Sequence, residues 1–156
     1  MAGAALLNEM SKYVDVYLLP IPEENVAAYK KLASKAGKVF IKHGALRYRE
    51  YVASDLNVEG GILPFTKSVK LKPGETIVYA SVEFRSEAQR NKAMKAIFRD
   101  KELEDMMGDK PVFDYKRMVY GGVKIFVEVY TFVHLWVIIA YTFRDRFPFY
   151  DRSVEQ

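Results

Sequence analysis

A chain of 156 residues without cysteine, carrying 24 Lys and Arg against 20 Asp and Glu, has room for one domain with a real core and excludes disulfide scaffolds, thiolate metal sites and a cysteine nucleophile. The formal charge of +4 gives weak attraction to polyanions, and nucleic-acid binding is ranked last because no aromatic stacking motif accompanies the lysines. Of the two histidines, His43 and His134, neither has a second ligand at metal spacing, so no metal or cofactor is expected.

Met1 to Glu9 hold a short apolar patch, Ala4-Ala5-Leu6-Leu7, with no positive charge before it. A secretory signal needs a basic start and a longer apolar core, so residues 1–12 are read as a flexible extension with Met10 as an alternative start. Tyr13 to Leu19 alternates and stops at Pro20, which predicts a strand with Val14, Val16 and Leu18 on its buried face. Pro22 suits a first helical turn, Glu23 and Glu24 sit at the favourable end of the macrodipole, and the helix is expected to run to Lys42. Val26, Tyr29, Leu32, Ala36, Val39 and Phe40 fall on one side of it, with Lys31, Lys35, Lys38 and Lys42 as a solvated stripe on another. His43-Gly44 ends it, Gly44 supplying the left-handed conformation that a helix C-terminus uses.

Ala45 to Ala53 is the second strand, Leu46, Tyr48 and Val52 on one parity, Arg47, Arg49 and Tyr51 on the other. Ser54 to Pro64 is an irregular loop able to lid a pocket. Its Gly60-Gly61 pair lacks the residues of a phosphate-cradling motif. Phe65 to Leu71 is read as a short extended piece, Lys72-Pro-Gly-Glu75 as a tight turn and Thr76 to Phe84 as the third strand. Ser86 to Gln89 has the form of a capping box opening a helix to Arg99. Asp100 caps a further short helix through Met107, with Ala93, Met94, Ile97, Leu103 and Met106 as core contacts. Lys116 to Val129 reads as the last strand, in which Gly121-Gly122 marks a bulge or a close backbone approach.

Strand, helix, strand, then strand, helix, strand predicts an α+β fold, a ferredoxin-like βαββαβ unit over residues 13–129 with an antiparallel sheet and both helices on one side. The other sheet face is expected to carry Tyr13, Asp15 and Tyr17; Arg47, Arg49 and Tyr51; Tyr79, Ser81 and Glu83; and Lys124, Phe126 and Glu128. Aromatic bodies with balanced charges suit a surface that meets a second copy or closes over a small ligand. The candidate ligand-binding residues are Asp15, Tyr17, Arg47, Arg49, Tyr79 and Glu83, and cross-strand ion pairing is their plainer role. Asp15 or Glu83 would serve as a proton acceptor if desolvated.

The runs Tyr13-Val-Asp15, Leu19-Pro-Ile-Pro22, Lys42-His-Gly-Ala45, Pro64-Phe65, Ser68-Val-Lys70, Pro73-Gly-Glu75 and Lys116-Arg-Met-Val-Tyr-Gly-Gly122 together resemble the YbaA-like bacterial family, domain of unknown function 1428, of the dimeric α/β-barrel superfamily. The resemblance implies a homodimer whose facing sheets make a barrel, and it brings no catalytic residues. Two readings stay open. One is a cytoplasmic homodimeric module that binds a small molecule or serves assembly; the other is a cofactor-independent oxygenase-type enzyme, as found elsewhere in the superfamily.

Residues 130–156 depart from the family pattern as an apolar and aromatic C-terminal extension. Its fourteen-residue run from Tyr130 to Phe143 would reach ~21 Å as a helix, short of the roughly 30 Å hydrocarbon core, so membrane spanning is not expected.

Overall fold

Strand β1, Tyr13–Pro22, is the axis of the sheet. The computed structural model describes residues 13–106 and 111–129, so the expected N-terminal extension, the end of the second short helix and the apolar C-terminal extension lie outside the described residues. The fold below is that of the compact unit Ser11–Ile125.

After β1 come a 3-10 turn at Glu23–Asn25 and helix α1, Val26–Lys42. Strand β2 is Arg47–Val52, α2 is the single turn Phe65–Ser68, and β3 is Glu75–Phe84. Helices α3, Glu87–Ile97, and α4, Lys101–Met106, lead through a 3-10 turn at Tyr115–Arg117 to β4, Val119–Val123. The four strands lie in the order β2-β3-β1-β4 with every neighbouring pair antiparallel. This is the ferredoxin-like βαββαβ arrangement that the element order predicts.

Strand β1 runs through both prolines instead of stopping at Pro20. Its pairing with β4 covers only Val14 to Leu18, whereas its pairing with β3 continues to Pro22. Past Leu18 the strand has one neighbour, so a missing N–H there need cost the sheet no ladder bond.

The longer strand reveals which face is which. Leu19 and Ile21 are buried with Tyr29 and Ala33 of α1 and with Val78 and Ala80 of β3, and Tyr17 packs against the same cluster. The odd positions of β1 therefore face the helices, with Tyr13, Asp15 and Tyr17 among them. Val14, Val16 and Leu18 lie on the far face, the reverse of the expected assignment. Register carries the same parity outward. Glu83, Ser81 and Tyr79 stand opposite Val14, Val16 and Leu18 on one side and Arg47, Arg49 and Tyr51 on the other.

A second cluster joins Val39, Ala45, Val82, Phe84, Ala93 and Ile97, with Met94, Leu103 and Met106 packed on it. These include the apolar positions expected of α3 and α4. Helix α1 closes in a Schellman motif: the N–H of Ala45 donates to the Phe40 carbonyl at 3.0 Å and that of Gly44 to Ile41 at 3.0 Å, with Gly44 at φ +100°.

Three local expectations are corrected. Phe65–Ser68 is helical, its N–H groups at Lys67 and Ser68 turning back to the Pro64 carbonyl. Half of the capping box forms: Ser86 Oγ accepts from the Gln89 N–H at 3.2 Å, but the Gln89 side chain donates to the Gly44 carbonyl at 2.6 Å and so ties α3 to the end of α1. Strand β4 ends at Val123, opposite Val14. Lys124, Phe126 and Glu128 are therefore not sheet residues. The Gly121-Gly122 pair stays in register with Val16 and Asp15, without a bulge. A Cβ on Gly122 would collide with the Tyr13 hydroxyl, so close approach is the reason for glycine there.

Candidate functional site

Helix α1 and strand β2 diverge enough to leave a cleft of about 1080 Å³ along the outer edge of the sheet. Gly37 sets the approach of the two elements. A Cβ there would lie 2.8 Å from Tyr48 Cδ1, so only glycine lets the Tyr48 ring lie against the helix. Val26, Ala33 and Ile41 of α1 line the cleft with Leu46 and Val52. Ile41, Leu46 and Val52 keep 36–55% of their surface exposed, which leaves an apolar wall facing solvent.

A carboxylate sits within this wall. Tyr48 donates its hydroxyl to Glu50 Oε1 at 2.6 Å, and the Tyr29 hydroxyl lies 3.1 Å from both Glu50 oxygens. Burial pushes the Glu50 carboxyl above the ordinary glutamate value, and the Tyr48 and Tyr29 hydrogen bonds pull the other way. Burial first and the Glu50 charge second push both tyrosines well above the ordinary phenol value, so at neutral pH both are donors. Tyr29 has one proton to share between two oxygens, which leaves Glu50 Oε2 with acceptor capacity toward the cleft.

The sequence shows this group only as an irregularity. Leu46, Tyr48, Glu50 and Val52 share the helix-facing parity of β2, and an acid among the otherwise apolar and aromatic residues of that parity is the signal that could have found it.

The candidate residues read from sequence separate into two groups. Arg47, Arg49, Tyr79 and Glu83 do come together on the sheet face away from the helices. Arg49 Nη2 pairs directly with Glu83 Oε1, Arg47 Nη1 lies 3.5 Å from the same oxygen, and the Tyr51 and Tyr79 rings are 5.5 Å apart. Asp15 and Tyr17 are not with them. Asp15 is wholly buried under α3, its Oδ2 accepting from Arg90 Nε at 2.7 Å and its Oδ1 from the Tyr120 hydroxyl at 2.8 Å. Tyr17 packs at 5.0 Å on Tyr120. Burial, with the Asp15 charge behind it, pushes the Tyr17 phenol far up, and Tyr120 is pushed up to about 12. Through these two hydrogen bonds Asp15 holds β1, β4 and α3 together.

The lysine stripe also divides. Lys38 and Lys42 border the cleft with Lys30, whereas Lys31 and Lys35 do not line it. Among the described residues no group of three metal-ligating side chains comes together, and no helix is long and apolar enough to cross a membrane.

Comparison with known proteins places these features in context. The family profile described as Protein of unknown function (DUF1428) matches residues 12–115. A protein of Escherichia coli K12 named "Uncharacterized protein YbaA" is 33% identical over 117 residues, covering 75% of this chain and 98% of that protein. The protein of the same name from Shigella flexneri matches equally. Among solved structures, a "dimeric ferredoxin-like protein" from an uncultured marine organism is similar with a TM-score of 0.50 at 10% identity, over 80% of this chain and 96% of that one. At that identity the likeness carries the fold alone.

Proposed function

The chain belongs to the DUF1428 family, and from that premise we propose that it is a homodimeric module that binds a small molecule between α1 and β2. The observation that carries the reading is the Glu50 carboxylate, held by two tyrosine hydroxyls within an apolar cleft. A concave apolar wall with a few convergent polar groups is the usual form of a small-molecule site. The absence of cysteine suits a reducing compartment, and we read the protein as cytoplasmic.

The dimer is proposed to form through the sheet face away from the helices. Val14, Val16, Leu18, Val119 and Val123 give that face an apolar half beside the charged half of Arg47, Arg49 and Glu83. A similar fold described as dimeric supports this. In the dimer, Arg47, Arg49, Tyr79 and Glu83 would be interface residues or would reach a ligand held between copies.

An oxygenase-type enzyme is the second reading, favoured by one observation. Glu50 has a raised carboxyl value beside a cleft, the setting in which a carboxylate accepts a proton from a substrate.

Two measurements on the full chain test the proposal. Anilinonaphthalene sulfonate should brighten on binding the cleft, and Ser34→Trp, which places an indole at its exposed mouth, should abolish the signal; an unchanged signal would exclude this cleft. Native mass spectrometry of the full chain and of a chain ending at Val129 should give a dimer. Monomers in both would remove the dimer reading.

A further inference from the structure

We propose that the α1–β2 cleft selects an amphipathic organic anion, with an apolar body, a hydroxyl or N–H donor at its inner end and a carboxylate or comparable anion at its outer end. This names the ligand class for the small-molecule reading above and rests on it.

The inner end is defined by what Glu50 lacks. Its Oε1 accepts from Tyr48 at 2.6 Å and its Oε2 has only a share of the Tyr29 hydroxyl at 3.1 Å. The two side chains hydrogen-bonded to it, Tyr48 and Tyr29, are both donors. A ligand donor completes the set, whereas a ligand acceptor or anion would meet a negative charge at close range.

The outer end is defined by the rim. Lys30 and Lys38 are exposed and line the cleft mouth, and among the described residues neither forms an ion pair. Lys42 is already engaged by Asp100 at 3.0 Å and Glu102 at 2.9 Å, and Arg47 leans toward Glu83. The cleft therefore offers its unspent positive charge at the solvent side and its negative charge inside. That ordering fixes the orientation of a ligand carrying one donor and one anion.

The spacing follows from the elements. Tyr48 lies against Gly37, beside Lys38, and Glu50 is two residues further along β2, about 7 Å at roughly 3.3 Å per residue. Allowing for the lysine reaching outward, donor and anion are on the order of 10 Å apart. Two linked rings span that distance, and the Leu46 and Val52 surfaces left exposed supply the apolar wall to cover them.

Calorimetric titration of the full chain with three biphenyls tests this: one with a para hydroxyl and a carboxylate at the opposite para position, one lacking the hydroxyl, and one lacking the carboxylate. The hydroxy acid should bind about tenfold tighter than either. Glu50→Gln should remove the advantage given by the hydroxyl and leave that of the carboxylate; Lys38→Ala should do the reverse. Lys38 is exposed, so its variant keeps the fold if Glu50→Gln does not, and the three-ligand comparison on the unaltered chain stands by itself. Equal affinities for the three would overturn the ligand class and leave the small-molecule reading intact. No binding of any of the three, nor of anilinonaphthalene sulfonate, itself an amphipathic anion with an N–H donor, would overturn both.

Discussion

Arg90 Nε donates to Asp15 Oδ2 at 2.7 Å across 75 positions of sequence, joining the middle of α3 to a carboxylate with no solvent exposure. The same guanidinium donates to the Tyr120 hydroxyl and lies 5.7 Å from its ring centroid, so one side chain binds β1 and its neighbour, the edge strand β4, to the helix layer. Arg90→Met keeps the packing volume and strands the carboxylate. Removing one partner of a buried ion pair costs about 3–5 kcal/mol, and urea unfolding should show a loss of that order. Arg49→Met, whose side chain is 45% exposed, should cost far less.

Asp100 links two helix ends by a different logic. It caps α4 through the Glu102 N–H at 2.9 Å and holds His43 Nε2 at 2.6 Å at the close of α1. His43 first, then Lys42, keep its carboxyl low, at about 2 against an ordinary 3.8. A carboxyl whose folded value is depressed stabilises the fold above its unfolded value and loses that contribution as pH falls through the folded one. Melting temperatures should therefore show Asp100→Asn less stable than the wild type at neutral pH. The gap should close between pH 3.8 and about 2. A gap independent of pH across that window would mean that capping geometry, not charge, carries the effect.

Tyr48→Phe isolates one hydrogen bond in the cleft. The ring contacts with Gly37 and with Phe40, 5.3 Å away, survive, while Glu50 Oε1 loses its shortest donor. Leaving a half-buried carboxylate short of a partner should cost about 1–3 kcal/mol in chemical denaturation. The Glu50 carboxyl should rise further, readable by carbon-detected NMR titration. An unchanged titration would show that the phenol does not govern the carboxylate.

Much of the fold is legible locally because its signals are local. Gly44 ends α1 where its left-handed φ lets two N–H groups turn back onto Phe40 and Ile41. Pro73-Gly74 makes the turn before β3, with the Glu75 N–H donating to Lys72 at 3.1 Å. The spacing of Ala93, Ile97 and Leu103 states which side of α3 and α4 is buried. Such cues depend on backbone conformation and on neighbours within a few residues, and these the chain carries in order.

The amino-acid order by itself therefore determined the order of the main strands and helices, the close of α1 at Gly44 and the βαββαβ class. Only the tertiary structure decided which face of β1 turns inward. Val14, Val16 and Leu18 look like the core row, but Leu19 and Ile21 beyond them take that place, and Asp15 is tolerated inside because Arg90 arrives from a distant helix. Glu50 and its two tyrosines are legible for the same reason only in three dimensions. A half-buried charge is stable when its partners converge on it, and Tyr29, on α1, meets it across 21 residues.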